Sequence, residues 1–93
     1  MRGYQIIIEN YSNGLQHTSA GDIIYINEKT AKERYAVVVD SIMNDPHTWV
    51  KNCADNHPNH LVTKKETNGV TFIDTMSDSR LNIYINEVAI IYL

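Results

Sequence analysis

One stretch of the sequence, HTWVKNCADNHPNH at residues 47–60, concentrates the residue types that bind metal ions. Zinc sites in proteins use about four ligands drawn from cysteine, histidine and carboxylate side chains. The inventory is sufficient for zinc, but the spacing is less favourable: structural zinc sites present two short ligand pairs, whereas Cys53 stands alone here and Pro58 separates two histidines. The candidate ligands are His47, Cys53, Asp55, His57 and His60.

The same composition suits a surface connection between a helix and a hairpin, because Asn, Asp, His and Pro favour turns. Two residues need another explanation. Trp49, with Val50, is expected to anchor the segment to the core, and Cys53 is expected to be a small buried apolar residue. We therefore predict a polar loop with no bound metal or cofactor. A zinc-stabilised or metal-sensing module built on residues 47–60 is the first alternative.

Catalysis by this segment would need an activated nucleophile. Cys53 with His57 or His60 has the residue types of a thiolate–imidazole pair, but no activating motif accompanies them. The chain contains no G-x-S-x-G, P-loop, G-x-G-x-x-G or H-E-x-x-H motif. A pocket of roughly 300 Å³ is also hard to enclose in a domain with one helix. We predict that the protein is not an enzyme. A small hydrolase or transferase whose pocket forms between subunits is the second alternative.

Length and composition predict one globular domain spanning residues 1–93, with 43% apolar and 20% charged residues. The formal net charge of −3 and the eight scattered basic residues disfavour direct binding to nucleic acid, even though six tyrosines are available for base stacking. A single cysteine cannot form an internal disulfide, which favours the cytoplasm. The apolar run from Ile6 to Ile8 is too short for a signal peptide or a membrane span.

The N-terminal third of the sequence reads as two extended segments. YQIIIEN, residues 4–10, is β-branched and aromatic and stops at the turn residues Asn13 and Gly14. The second segment is interrupted at residues 20–21 and ends in DIIYIN, residues 22–27. Because isoleucines occupy both faces of each segment, we expect the two to be neighbours in the middle of a sheet.

A helix is predicted next. Thr30 and Glu33 fit a capping box, and Asn27 is an alternative cap, so the helix begins between residues 28 and 31. It ends at residues 44–46, Asn-Asp-Pro, since proline cannot continue the hydrogen-bond ladder. Its apolar face consists of Ala31, Tyr35, Val38, Val39 and Ile42, and Val37 is an isolated surface valine.

The last third of the sequence is predicted to form four strands. Asn68 and Gly69 suit a type I′ turn, in which Thr67 would pair with Val70 and the tip of the hairpin would project from the core. Residues 80–86 alternate as a half-buried strand, and the parity slips at residues 86–87, which predicts a bulge, a sharp bend or one tight helical turn before a final strand. The predicted order is β-β-α-β-β-β-β. We expect an α+β fold with one amphipathic helix on a mostly antiparallel sheet, which could be either open or curled toward a barrel.

The leading functional hypothesis is a small acidic, non-catalytic module that binds another protein, one with a basic nucleic-acid-binding surface. Direct contact with nucleic acid or membrane is not expected, and self-association is compatible with the sequence. Its specific form is an inhibitor of a host nuclease or defence system from a phage or mobile element, similar in size and charge to anti-CRISPR proteins. The residues predicted to contact the partner are Glu66, Asp74, Asp78, Glu87, His57 and His60.

Overall fold

The computed structural model describes residues 1–12, 14–21 and 23–91. Within these ranges the chain forms an α+β fold, as predicted, with two α-helices and a five-stranded antiparallel sheet. In chain order the elements are β1 (Arg2–Ser12), β2 (Leu15–Ala20), α1 (Glu28–Asn44), α2 (Trp49–Asn56), a 3-10 turn (Pro58–His60), β3 (Leu61–Glu66), β4 (Gly69–Asp74) and β5 (Ser79–Ala89).

The sheet has the strand order β2-β1-β5-β4-β3, and it stays open instead of closing into a barrel. Both helices cover the same face, where the buried core side chains of the strands point; these are Ile6, Val70, Phe72, Leu81 and Ile83. Edge strands β2 and β3 lie at opposite sides of the sheet. Neither helix, nor the 3-10 turn, is long and apolar enough to cross a membrane, as far as the described residues go.

Helix α1 forms where it was predicted. Of the two possible caps the structure uses Asn27, whose side chain accepts a hydrogen bond from Lys29 N at 2.8 Å. The helix ends at Asn44, immediately before Asp45 and two residues before Pro46. Its predicted apolar face packs on the core: Ala31 is fully buried, and Tyr35, Val38, Val39 and Ile42 are half-buried against the cluster. Val37 is 51% exposed, as expected for an isolated surface valine.

Helix α2 was not predicted, and the irregular loop expected at residues 47–60 is wrong for residues 49–56. Thr48 caps the helix by accepting a hydrogen bond from Lys51 N at 3.2 Å. Val50 and Cys53, three residues apart, face inward and are buried. Eight residues with two buried positions give too short a periodic pattern to distinguish a helix from a polar turn. The predicted anchoring role of Val50 and the buried position of Cys53 are confirmed.

Of the first two strands, the second differs from the prediction. β1 lies in the interior of the sheet as expected, but β2 is an edge strand. Residues 23–27 form no continuous strand; Tyr25 alone exchanges two backbone hydrogen bonds of 2.8 Å with Tyr4. The chain must reach the cap of α1 at Asn27, which leaves no room for a full strand. Asn13 of the predicted turn and Asp22 of the predicted strand lie outside the described residues.

The hairpin between β3 and β4 has a different register from the one predicted. Thr67 and Asn68 form the turn and Glu66 pairs with Gly69, so the pairing is shifted by two residues. Gly69 does not adopt a positive φ; among the described glycines Gly14 does, at 78°. The tip does not project either, because Asn68 O accepts a hydrogen bond from Ile85 N of β5 at 2.8 Å. A two-residue shift keeps every side chain on its predicted face, so the apolar pattern could not reveal it.

β5 runs without a break through residues 86–87, so the predicted bulge, sharp bend or helical turn does not occur there. The alternation of apolar residues shifts there because the side chains before this point are covered on one face of the sheet and those after it on the opposite face. Leu81 and Ile83 pack under the helices, whereas Val88 pairs with Gly3, and a side chain built at Gly3 would collide with Ile24 and Ile90 on the other face. Of the final predicted strand, residues 88–93, Val88 and Ala89 belong to β5, whereas Ile90 and Ile91 follow its end. The last two positions, 92 and 93, fall outside the described residues.

Gly69 is required by close packing and not by the turn. A Cβ atom there would lie 2.9 Å from Tyr84 Cβ and 3.1 Å from Ile83 O. We expect Gly69→Ala to lower the free energy of unfolding by roughly 1–3 kcal/mol through overpacking. Gly21→Ala is the matched control, since its nearest neighbour would be 3.6 Å away, and exposed substitutions stay within about 0.5 kcal/mol. Urea denaturation measures both, and equal midpoints would contradict the packing explanation.

Candidate functional site

The five potential metal ligands of residues 47–60 are spread along α2: His47 precedes it, Cys53 and Asp55 lie within it, and His57 and His60 follow it. About 12 Å of helix therefore separates His47 from His57. Asp55 is engaged in an ion pair with Lys51 at 2.9 Å. The His57 and His60 rings approach to 6.2 Å between centroids, yet the described residues contain no group of three or more His, Cys, Asp or Glu side chains able to hold a metal.

Cys53 has the surroundings of a structural cysteine. Its side chain is buried, and its thiol donates to His57 O at 3.5 Å. Burial raises the pKa of the Cys53 thiol, and the negative charge of Asp74 raises it further. Catalytic cysteines need a lowered pKa, because the thiolate is the nucleophile. The geometry therefore disfavours the thiolate–imidazole chemistry that the residue types allow.

Asp74 organises the turn between β4 and β5. Its carboxylate accepts hydrogen bonds from Met76 N and Ser77 Oγ, both at 3.0 Å. These bonds, the one from Met76 first, and the nearby His60 imidazole lower the pKa of Asp74, despite a smaller opposing effect of burial. His60 is joined to the same turn, because its backbone oxygen accepts from Thr75 N at 2.9 Å. Thr75 and His60 thus connect the β4–β5 turn to the 3-10 turn.

The six residues predicted to contact a partner do not form one surface. Asp74 and Asp78 lie at one end of β4 and Glu66 pairs at the other end, about 17 Å away by strand geometry. Glu87 lies further along β5, beyond the hairpin tip, and forms an ion pair of 2.6 Å with Arg2. His57 lies with His60 beside α2. The acidic hairpin surface expected from the sequence is therefore split between two ends of the sheet.

A different surface gathers binding-type side chains: the sheet face opposite the helices, which we call the open face. The strand register sets its side chains in three rows across β1, β5, β4 and β3. No helix among the described residues covers it. The rows are Tyr11–Arg80–Ile73–Val62, Glu9–Asn82–Thr71–Lys64 and Ile7–Tyr84–Gly69–Glu66.

Four side chains of the open face form a connected network. The Arg80 guanidinium stacks on the Tyr11 ring, with its carbon 4.6 Å from the ring centroid. Tyr11 Oη donates to Glu9 Oε2 at 3.3 Å. Burial raises the pKa of Tyr84, and the charge and hydrogen-bond acceptance of Glu9 add to it. The Glu9 carboxylate therefore joins two tyrosines, and the network links large side chains on an uncovered surface.

Two shallow concavities border this network. One, of about 400 Å³, is lined by Lys64, Asn82 and Tyr84 among others. The second, of about 570 Å³, lies between Tyr11 and Asp78 at the turn end of the sheet. Arg80 lines both. The three rows carry two positive and two negative side chains, namely Lys64 and Arg80 against Glu9 and Glu66, so the open face has no net charge.

Sequence reasoning missed the open face for an identifiable reason. The alternation of Leu81 and Ile83 with Asn82 and Tyr84 correctly predicts one covered and one uncovered side of that strand. The meeting of Tyr11 with Arg80 depends on the pairing of the first strand with the last, which no local pattern encodes.

Comparison of the chain with protein-family models, curated proteins and solved structures found no significant match.

The role of Asp74 can be tested by the pH dependence of stability. A carboxylate whose pKa is lowered by folding stabilises the protein fully above its unfolded pKa of about 4, and that contribution is lost as the pH falls through the folded value. We expect Asp74→Asn to lower the melting temperature at neutral pH and to have a smaller effect in acid. Asp78→Asn, in the same turn and exposed, should change little. Equal losses at both pH values would contradict this role.

The metal prediction can be tested on protein purified without chelator. We expect far less than one equivalent of zinc and no change in melting temperature with EDTA, because the potential ligands are divided along α2. A structural zinc contributes on the order of 10 kcal/mol in small peptides, so its removal would be conspicuous. Elemental analysis and thermal melts give the answer, and stoichiometric zinc would restore the metal-module alternative.

Proposed function

We propose that this protein is a non-catalytic module that binds another protein through the open face of its sheet. The observation that carries the proposal is the network of Tyr11, Arg80, Glu9 and Tyr84 on a face without a covering helix. Tyrosine and arginine are enriched among the few residues that dominate binding energy at protein interfaces. The contacts that these side chains already make with one another would also reduce the entropy that is lost when a partner binds.

The charge of the open face favours a protein over a nucleic acid as its partner. Nucleic-acid sites depend on lysine and arginine side chains that neutralise phosphates. Here Glu9 and Glu66 balance Lys64 and Arg80, and the chain as a whole carries −3. The mixture of Ile7, Ile73 and Val62 with polar side chains instead resembles an ordinary protein–protein interface, which is only about as apolar as the rest of a protein surface.

Two of the predicted acidic residues fit this proposal as part of the rim. Glu66 lines the first concavity and Asp78, like Asp74, lines the second, so Glu66 and Asp78 border the network from opposite ends. Rim charges mainly change the rate of association, and these would favour a partner with basic residues around its contact surface. Asp74 has a structural role in its turn, and Glu87, His57 and His60 lie away from this face.

The finer form of the proposal is an inhibitor, from a phage or mobile element, of a host nuclease or defence protein, acting in the cytoplasm. Its support is the small size of the chain, its net charge of −3 and its single buried cysteine. A nuclease surrounds its nucleic-acid channel with basic residues, and such a rim would complement Glu66 and Asp78.

The test compares variants of the open face with a matched variant on the helix side. Arg80→Ala and Tyr11→Ala each remove a central side chain, and each should weaken binding by about 2 kcal/mol, roughly 30-fold in Kd. Lys29→Ala removes an exposed side chain of α1 and should leave Kd unchanged. Affinity purification from cells that carry the gene supplies a partner, and titration of the purified pair supplies the Kd values.

The outcome depends on all three variants together. Selective loss with Arg80→Ala and Tyr11→Ala supports the open face, provided that circular dichroism shows both variants folded. Unchanged binding of both variants removes the open face from consideration. Tight binding to single-stranded DNA or RNA with a steep salt dependence would replace the protein partner by a nucleic acid.

A further inference from the structure

Strand β2 forms an unprotected edge of the sheet. All six of its residues, LQHTSA, are exposed, and the segment contains no Asp, Glu, Lys, Arg or Pro. Native proteins usually guard an edge strand with charged residues, proline or a bulge, because its free backbone groups can pair with another strand. The opposite edge, β3, carries Lys64, Lys65 and Glu66 in that protective role. The two edges of one sheet therefore differ in their readiness to pair.

The backbone geometry identifies which groups of β2 are available. Gly21 N donates to Ile6 O at 3.1 Å. In an antiparallel ladder, alternate residues direct their N–H and C=O groups toward the same neighbouring strand. The groups of Leu15, His17 and Ser19 therefore face β1, as those of Gly21 do, and the groups of Gln16, Thr18 and Ala20 face away from the sheet.

The exposed area of the chain is larger than that of a compact monomer of the same mass, in keeping with its elongated shape of 50 × 25 × 22 Å. The accessible surface is 6513 Å² for a mass of 10.6 kDa. A compact monomer of that mass exposes about 5,500 Å², so the excess is about 1,000 Å². Each partner in a standard interface contributes about 800 Å². The excess is thus of the size that one dimer interface buries.

We propose that two copies of the chain associate through β2, which pairs antiparallel with β2 of the second copy. A two-fold axis through Thr18 sets Thr18 against its counterpart, Gln16 against Ala20 and His17 against Ser19. All three outward-facing residues then pair, with about six backbone hydrogen bonds. No like charges oppose each other, so the strand is complementary to itself, and this favours a second copy over a foreign strand. The two five-stranded sheets become one continuous sheet of ten strands.

The dimer would also join the two open faces. A two-fold axis perpendicular to the sheet leaves both sets of helices on one side and both open faces on the other. Thr18 lies in the same row as Glu9, and Gln16 lies in the row of Tyr11. Insofar as the open face binds a partner, a role that rests on the proposed function, the dimer presents it twice on one surface.

Proline substitutions test this interface with little effect on the fold. Thr18→Pro removes an outward-facing N–H that makes no bond to β1, and its ring obstructs a pairing strand. The matched control is Thr63→Pro in β3: because Thr75 N donates to His60 O, Thr63 also faces outward, on the charged edge. The wild-type protein and both variants are compared by sedimentation velocity and light scattering from low micromolar to near-millimolar concentration.

We expect a dimer for the wild type and for Thr63→Pro, and a monomer for Thr18→Pro with an unchanged far-ultraviolet circular dichroism spectrum. If the proline variant is unfolded, Thr18→Lys replaces it: two ammonium groups would then oppose each other at the axis, and the dimer dissociation constant should rise at least tenfold. A wild-type monomer throughout the range would overturn the proposal. So would a dimer that survives in a folded Thr18 variant. Neither readout involves the partner of the open face, so the two proposals fail separately.

Discussion

The pairing of β1 with β5 is the interaction on which the rest of the structure depends. It joins the first strand to the last over ten residue pairs, from Arg2 with Ala89 to Tyr11 with Arg80. The two hairpins are added on either side, β2 against β1 and β4 against β5. On one face this pairing sets Ile6 and Ile83 in the core beneath the helices, and on the other it stacks Arg80 on Tyr11. Core and candidate binding surface thus arise from a single non-local ladder.

The sequence predicts those parts of the fold that local patterns determine. α1 is readable because five apolar residues repeat at helical spacing between an asparagine cap and a proline. α2 is not, because two buried residues in eight do not make a pattern. The hairpin register escaped prediction since Asn68–Gly69 resembles a type I′ turn, whereas Gly69 is needed for close approach to Tyr84. In each failure a contact distant in sequence determined what a short segment does.

The same distinction applies to the candidate sites. Residues 47–60 have the composition of a metal or catalytic site, but their side chains serve packing: Cys53 is buried, His60 connects to the β4–β5 turn, and Trp49 Nε1 donates to Asn10 Oδ1 at 3.2 Å. The open face has no motif in the sequence, because its members come from four strands and the contact between Tyr11 and Arg80 joins residues far apart in the chain. The composition of residues 47–60 therefore suggests a site where the segment has a structural role. The register of the strands, in contrast, defines the surface that carries binding-type residues.

Both proposals depend on the same physical fact, that the helices cover only one face of the sheet. Two helices can cover one face of a five-stranded sheet, so the other face and the edges must be compatible with water or be covered by a partner. At β3 the edge is compatible with water because it carries Lys64, Lys65 and Glu66. The open face is compatible with water because it carries the charged and hydroxyl groups of Glu9, Tyr11 and Arg80. β2 has no Asp, Glu, Lys or Arg. If it pairs with a second copy, three strand spacings separate the two β1 strands, about 14 Å. The two tyrosine–arginine networks would then be close enough for one partner protein to contact both, and binding would gain from their fixed spacing as well as from each contact.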